Sequence, residues 1–372
     1  MPEEPEVSSD PDEERKQKQK QKQNEEIRSF FRSAQEVNLS SWQQDVHSLV
    51  PRSLYHYTTS VGLTGILTSH SLWASDVRYM NDASELSYAA ALIADEVGHV
   101  FGAVADAQLQ PVLPNVQAFA NIFEYGGLRP FCACLCEEGD LLSQWRGYTA
   151  GQIGYSLGLD LRLPNIAIDL PPNTFLRKVV YDECEQRSWV RRITETWLTA
   201  ASTLLDSGRG LVPTDLFPYP AIWTLQEALA EQQLCFKNPG FSEEREWRLI
   251  KLVDIQEELR LVEHRLTQAR LERLNETLEQ QGIKSPPILR SWPRTNAEGI
   301  EIKFRQASMG FIPYIELRLK QRAGVFTDRL PLESVVQGPT PNVALAFESL
   351  AMYLRSFGFS MTQVGSSTIP LR

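Results

Sequence analysis

The apolar positions of this chain follow two periods, every second residue and every third to fourth, and the two exchange repeatedly along its length. Alternation predicts strands over 53–58, 71–75, 128–136, 152–159, 176–181, 245–253, 299–305, 312–319, 332–337 and 361–364. The longer period predicts a short helix beginning near Ile27, with Phe30, Phe31 and Val37 on one stripe. Further helices are expected over 61–68, 83–104, 141–148, 183–205, 221–234 and 342–357. Asn81 or Asp82 can cap the helix from 83, and Glu85 stands at capping-box distance from Asp82. A polar helix over 255–281 carries Ile255, Leu259, Val262, Leu266 and Ala269 as a narrow stripe between densely charged faces. Such a stripe suits an arm packed on the body, a helical hairpin, or a coiled-coil contact through which the chain self-associates. Strands and helices alternate without a βαβ period or an internal repeat. The expected fold is α+β around a mixed or antiparallel sheet, with helical insertions and one long amphipathic helix.

Composition narrows the class. Of 372 residues, 42% are hydrophobic and 23% charged, as in an ordinary globular protein with ample material for a core. Residues 1–26 are the exception: acidic first, then a Lys/Gln repeat from Lys16 to Gln23, with almost nothing to bury. That segment is expected to be a disordered charged arm or a frayed helix, leaving 27–372 as one α+β domain with insertions at about 183–235 and 255–281. Its lysines could touch nucleic acid, but a solvated tail accounts for them more simply. A net charge of −10 argues against broad, sequence-independent nucleic-acid binding. No apolar run approaches the roughly 18 residues of a membrane span. The opening Met-Pro-Glu-Glu-Pro-Glu has no apolar stretch behind it, so no secretory signal and a cytoplasmic location are expected.

Three of the five cysteines, Cys132, Cys134 and Cys136, alternate within a predicted strand. Alternate residues on a strand share a face at roughly 6.6 Å spacing. That is wider than the sulfur separation allowed by Zn–S bonds of about 2.3 Å. Small buried residues of a strand in a reducing compartment are the expected reading, and the odd count fits no disulfide framework. His47, His70, His99 and His264 show no metal-ligand spacing. There is no Gly-x-Gly-x-x-Gly and no phosphate loop. Gly154-Tyr-Ser156-Leu-Gly158 matches a nucleophile-elbow spacing but falls on a predicted strand rather than a strand-to-helix turn.

Three segments place unusual polar residues at predicted strand ends. They are Tyr55-His56-Tyr57-Thr58 with Ser71-Leu-Trp73-Ala-Ser75, then Arg78-Tyr79-Met-Asn81-Asp82, and finally Phe236-Lys237-Asn238-Pro239 with Glu243-Glu244-Arg245-Glu246-Trp247-Arg248. The first resembles the opening of the ADP-ribosyltransferase fold: a strand with His-x-Thr, a helix with an Ile-Leu pair (Ile66-Leu67), and a second strand ending aromatic-Ala-small. Glu244-x-Glu246 is similar to the late Glu-x-Glu of that family. The body from about Leu54 also resembles a bacterial family known only as domain of unknown function 2971. The pieces that carry this are Tyr-His-Tyr-Thr, Asn81-Asp-x-x-Glu85, Gln144-Trp145, Gly154-Tyr-Ser-Leu, Glu-Arg-Glu-Trp-Arg and Val-Gln-Gly-Pro near the end.

The transferase resemblance implies NAD as substrate, no metal, and cleavage of the nicotinamide–ribose bond through an oxocarbenium-like state. It implies Glu246 as the catalytic carboxylate with Glu244 beside it, both facing one side of a strand. His56, Tyr57, Thr58, Trp73, Ser75, Tyr79 and Asn81 would surround NAD, and His56 and Glu246 would face one pocket. A protein or nucleic-acid acceptor follows, with a toxin or defence role as one use of such chemistry. Trp73 stands where the family carries a tyrosine, so Tyr79 or Tyr148 would have to supply that aromatic face. Other readings stay open at this point. His56 can be a satisfied core histidine, Glu244 and Glu246 a solvated face paired with arginines, Asn81 and Asp82 plain helix caps, and Trp145 core. A non-catalytic interaction module is one alternative function. An RNA 2′-phosphotransferase with Arg52, Arg78 and Arg248 around its pocket is another.

Overall fold

A computed structural model describes residues 15–16, 18–19, 22–35, 50–80, 83–103, 109–117, 123, 128–149, 153–161, 174–206, 219–254, 300–307, 310–319 and 330–370. Asn81 and the expected helix over 255–281 lie outside them, as does most of the charged arm. The single domain expected from residue 27 resolves into two compact units, each assembled from separated stretches of chain. Unit 1 comprises 1–45, 86–122 and 182–236, and unit 2 comprises 46–85, 123–181 and 237–372.

Unit 1 is helical among its described residues. It contains a helix over 22–35 (α1), nearly all of α3 (Ala83–Ala103), the short α4 (Leu113–Gln117), α6 (Glu183–Asp206) and α7 (Tyr219–Gln233). Of the apolar stripe read from the sequence, Phe31 is the residue that packs fully; Phe30 is exposed, and Val37 lies outside the described residues. Phe31 is fully buried and stacks on Trp197 with centroids 5.4 Å apart, and the Trp197 indole donates to the Ala221 carbonyl at 2.8 Å. The Glu96 carboxylate, also buried, is held by Arg191 at 2.6 Å and Arg187 at 3.3 Å. A buried charge is tolerable because these partners replace its water.

Unit 2 carries the whole sheet. Its strands are β1 (Leu54–Thr59), β2 (Leu72–Asp76), β3 (Leu128–Cys136), β4 (Gly154–Leu159), β5 (Thr174–Lys178), β6 (Glu246–Asp254), β7 (Lys303–Ala307), β8 (Gly310–Leu317), β9 (Leu332–Gln337) and β10 (Gln363–Ser366). They run in the order β10-β9-β4-β1-β3-β2-β8-β7, with β6 on β3 and β5 on β6. Only β10 with β9 is parallel among these pairs, so the sheet is mixed and mostly antiparallel and the fold is α+β.

β3 is paired along both edges, and one of those edges is divided between two strands. β6 occupies one edge of β3 along its whole length, from Leu128 opposite Asp254 to Cys136 opposite Glu246. The other edge is shared: β1 meets it at Tyr55–Cys136, and β2 at Ser75–Cys132 and Asp76–Phe131. Between those two contacts β1 and β2 part, and among the described residues the stretch of β3 around Cys134 has no strand partner on that side.

Helices cover this sheet. Thr59 caps α2 (Ser60–Ser69) by accepting from the Gly62 N–H, and α2 connects β1 to β2. Leu63, Ile66 and Leu67 form its buried face. Two glycines let α2 approach closely: a Cβ on Gly62 would overlap the Thr58 hydroxyl, and one on Gly65 would lie 2.0 Å from Trp73 Cζ2. On the strand face bearing Tyr55 and Tyr57, α5 (Leu142–Tyr148) supplies Trp145, whose ring sits 4.7 Å from that of Tyr57. The last helix, α8 (Val343–Ser356), is tied to α2 by a 2.7 Å bond from Tyr353 to Thr64. Among the described residues no helix is long and apolar enough to cross a membrane.

Candidate functional site

Two polar clusters flank β3, and both belong to unit 2. The first lies at β6. The chain leaves a 3₁₀ turn, Pro239–Glu244, through Arg245 in the left-handed region (φ 44°) and enters β6 at Glu246. Glu244 is therefore in the turn. Its expected place beside Glu246 on one strand face is corrected by that reversal. The two carboxylates still converge, because both reach Lys237: Nζ lies 2.7 Å from Glu244 and 3.2 Å from Glu246. Lys237 also meets Glu85 at 2.8 Å. Arg248, alternate to Glu246 on the strand, binds both its oxygens (2.9 and 3.1 Å) and reaches Glu85 at 2.7 Å. The Glu85 carboxylate thus engages these cations rather than acting only as the expected capping partner.

The electrostatics separate the two glutamates. Burial pushes the Glu246 carboxyl up, but the charges of Arg248 and Lys237 more than offset this and hold it at about 2. Glu244 moves the other way, raised by burial against the pull of Lys237. Lys237 and Arg248 are pulled down by burial, yet the surrounding carboxylates carry both above their ordinary values. Glu246 is consequently a fixed negative charge, and Glu244 is the member of the pair better able to take a proton.

The second cluster lies where β1 and β2 part. The His56 ring turns into the gap, and Nδ1 donates to the Cys134 carbonyl at 2.9 Å, replacing the missing ladder bond. Burial lowers the His56 pKa, the Cys134 carbonyl opposes this, and the Arg305 charge lowers it further, so the ring is neutral and Nε2 is an acceptor. Ser75 on β2 accepts from Arg305 Nη2 at 3.1 Å. Trp73, alternate to Ser75, lies 4.7 Å from the Tyr314 ring in a tilted stack. Its buried Nε1 finds no partner among the described residues.

The other expected ligand contacts fall elsewhere. The Tyr57 hydroxyl donates to the Glu138 carbonyl at 2.8 Å and accepts from the Leu141 N–H at 3.0 Å, which makes Tyr57 a core pin. Thr58 is turned toward Gly62 of α2. Tyr79 sits beside Arg78, 5.7 Å from its guanidinium. Trp145 is core, as one reading of the sequence allowed, with Nε1 donating to Asp140 at 2.8 Å. The arginines expected around a phosphotransferase pocket are each held by carboxylates: Arg52 by Glu333, Arg78 by Asp76, Arg248 by Glu246 and Glu85.

The row Tyr55–Cys136–Glu246 shares one face of the sheet, so His56 leaves β1 from the alternate side. No contact joins His56 to Glu246 among the described residues. Ser75, by contrast, stands in a row with Cys132, and Cys132, Cys134 and Cys136 share the face of Arg248 and Glu246. Among the described residues no group of three or more His, Cys, Asp or Glu could hold a metal ion. Arg305 and Tyr314 were invisible as site residues in the sequence, because isolated residues on late strands carry no motif. Lys237 lies in one of the segments with unusual polar residues at a strand end, but nothing in its local sequence specifies its three carboxylate partners.

Residues 144–249 match the model of a protein family of unknown function, DUF2971. No curated protein and no solved structure matches the chain.

Proposed function

We propose that this chain binds NAD through unit 2 and transfers its ADP-ribose group to a protein or nucleic-acid acceptor. The observation that carries this is a neutral His56 at the parting of β1 and β2, under the influence of the Arg305 charge, with Arg305 in turn donating to Ser75. A neutral His56 with Nε2 as acceptor suits a ribose hydroxyl. Across β3, Glu246 stays ionised at neutral pH, as a carboxylate that stabilises an oxocarbenium-like state must. Glu244, with its raised proton affinity, suits deprotonation of the acceptor. Ser75 and Glu246 lie two strands apart and four positions apart along β3, roughly 16 Å from strand spacings, the scale of a dinucleotide rather than a single ribose.

The test is release of labelled nicotinamide from NAD by the purified chain. Parent protein should release it, and His56→Ala should raise KM for NAD. Glu244→Gln should lower kcat at least about 100-fold. Release unchanged in both variants would remove these residues from the chemistry. A non-catalytic interaction module is the second reading, favoured by one observation: both Glu246 oxygens are already taken by Arg248 and Lys237. It expects no nicotinamide release and no heat of NAD binding by calorimetry.

A further inference from the structure

Arg305 is a half-buried cation with little to hold it. A guanidinium offers five N–H donors in a planar fork. One of them meets the Ser75 hydroxyl at 3.1 Å, and among the described residues no carboxylate pairs with it. Other cations nearby are matched: Lys303, on the same strand, has Glu316 at 2.8 Å, and Arg78 has Asp76. Burial also lowers the Arg305 pKa, opposed by the neighbouring Tyr314.

The surrounding groups have the same bias. Trp73 Nε1 is a buried donor without an acceptor among the described residues, on the alternate position to Ser75. Leaving such a donor unmet costs free energy that a bound acceptor would recover. Ser75 accepts from Arg305, so its own proton is directed elsewhere. Register places Ser75, Trp73 and Arg305 on one face of the sheet, and the Glu316 carboxylate opposite Trp73 is already held by Lys303. A planar carboxylate engages two such donors, and a tetrahedral phosphate can engage all three.

We propose that Arg305, Ser75 and Trp73 form a phosphate-binding site at the parting of β1 and β2, and that it receives the diphosphate of the ligand read by His56. The identification of that ligand as a dinucleotide rests on the function proposed above, whereas the phosphate site rests only on the donors named here.

The experiment titrates the full chain with inorganic pyrophosphate at low ionic strength, by calorimetry. Parent protein should bind. Arg305→Met should weaken binding at least about tenfold, the loss expected for a charged hydrogen bond. Arg305→Lys, which keeps the charge but not the fork, should fall between the two. Arg52→Met removes an exposed cation paired with Glu333 and should leave pyrophosphate binding unchanged. Equal weakening by Arg52→Met and Arg305→Met, or no binding by the parent, would overturn the site. Thermal melts check that Arg305→Met is folded; should it not fold, Ser75→Ala replaces it and should weaken binding several-fold, and unchanged binding would overturn the site. Pyrophosphate binding without nicotinamide release would sink the transfer reading and leave the phosphate site standing. Nicotinamide release with an unchanged KM for NAD in Arg305→Met would do the reverse.

Discussion

Replacing Glu246 by Gln removes one charge from a network in which Glu246, Lys237 and Arg248 are all nearly inaccessible to solvent. The amide keeps the shape and one acceptor oxygen, so the perturbation is almost purely electrostatic. Two routes give its size. A carboxyl held at about 2 in the folded chain against an ordinary 4.5 corresponds to about 3 kcal/mol at neutral pH. Removing one partner of a buried ion pair costs about 3–5 kcal/mol. Lys237 keeps Glu85 and Glu244, and Arg248 keeps Glu85, which favours the lower end. Urea unfolding followed by tryptophan fluorescence and circular dichroism should therefore show Glu246→Gln destabilised by about 3 kcal/mol with an unchanged slope. Glu244→Gln should cost much less, because burial already disfavours the Glu244 charge. In the folded fraction of Glu246→Gln, NAD should still bind while transfer falls at least about 100-fold. A cost for Glu246→Gln below about 1 kcal/mol, or one smaller than that for Glu244→Gln, would refute the buried-charge reasoning.

The pH dependence of stability carries the same signature. A carboxyl depressed in the folded state stabilises above its unfolded value and loses that contribution as pH falls from 4.5 towards 2, so Glu246→Gln should flatten the acid limb by about 1.4 kcal/mol per pH unit; parallel limbs would contradict this. Thiol labelling at pH 8 should modify exposed Cys184 well before Cys132, Cys134 or Cys136, since a hydrogen bond to Cys132, burial and the Glu246 charge all raise the Cys134 pKa. Peptide mapping that found Cys134 labelled as fast as Cys184 would count against it. Gly65→Ala gains about 1 kcal/mol of helix propensity but places a Cβ 2.0 Å from Trp73 Cζ2, and overpacking of about 1–3 kcal/mol should prevail. The melting temperature should drop and the tryptophan emission shift, and a raised melting temperature would show that the Trp73 ring yields freely.

The sequence by itself determined the elements. Alternation in Phe131-Cys-Ala-Cys-Leu-Cys136 made β3 a strand, and the expected 332–337 is the observed β9 to the residue. The expected helix over 183–205 is α6 within one residue. Side-chain period is a local property, enforced by burial of one face, and it survives whatever the element packs against. It also made the mixed, mostly antiparallel α+β class legible, because class follows from the order of elements. Tertiary structure alone decided which strands are neighbours. That β1 and β2 divide one edge of β3 is a choice among pairings that the hydrophobic pattern leaves equivalent, and it puts His56 in the gap. Arg305 reaches Ser75 across 230 positions, and Glu85 reaches Arg248 across 163, with no periodicity linking either pair. The same holds for charge: Glu244 and Glu246 read alike in sequence, yet a left-handed Arg245 and the approach of Lys237 and Arg248 make one a fixed anion and the other a proton acceptor. Ionisation depends on desolvation and on charges within a few ångströms, and those distances exist only once the chain has folded.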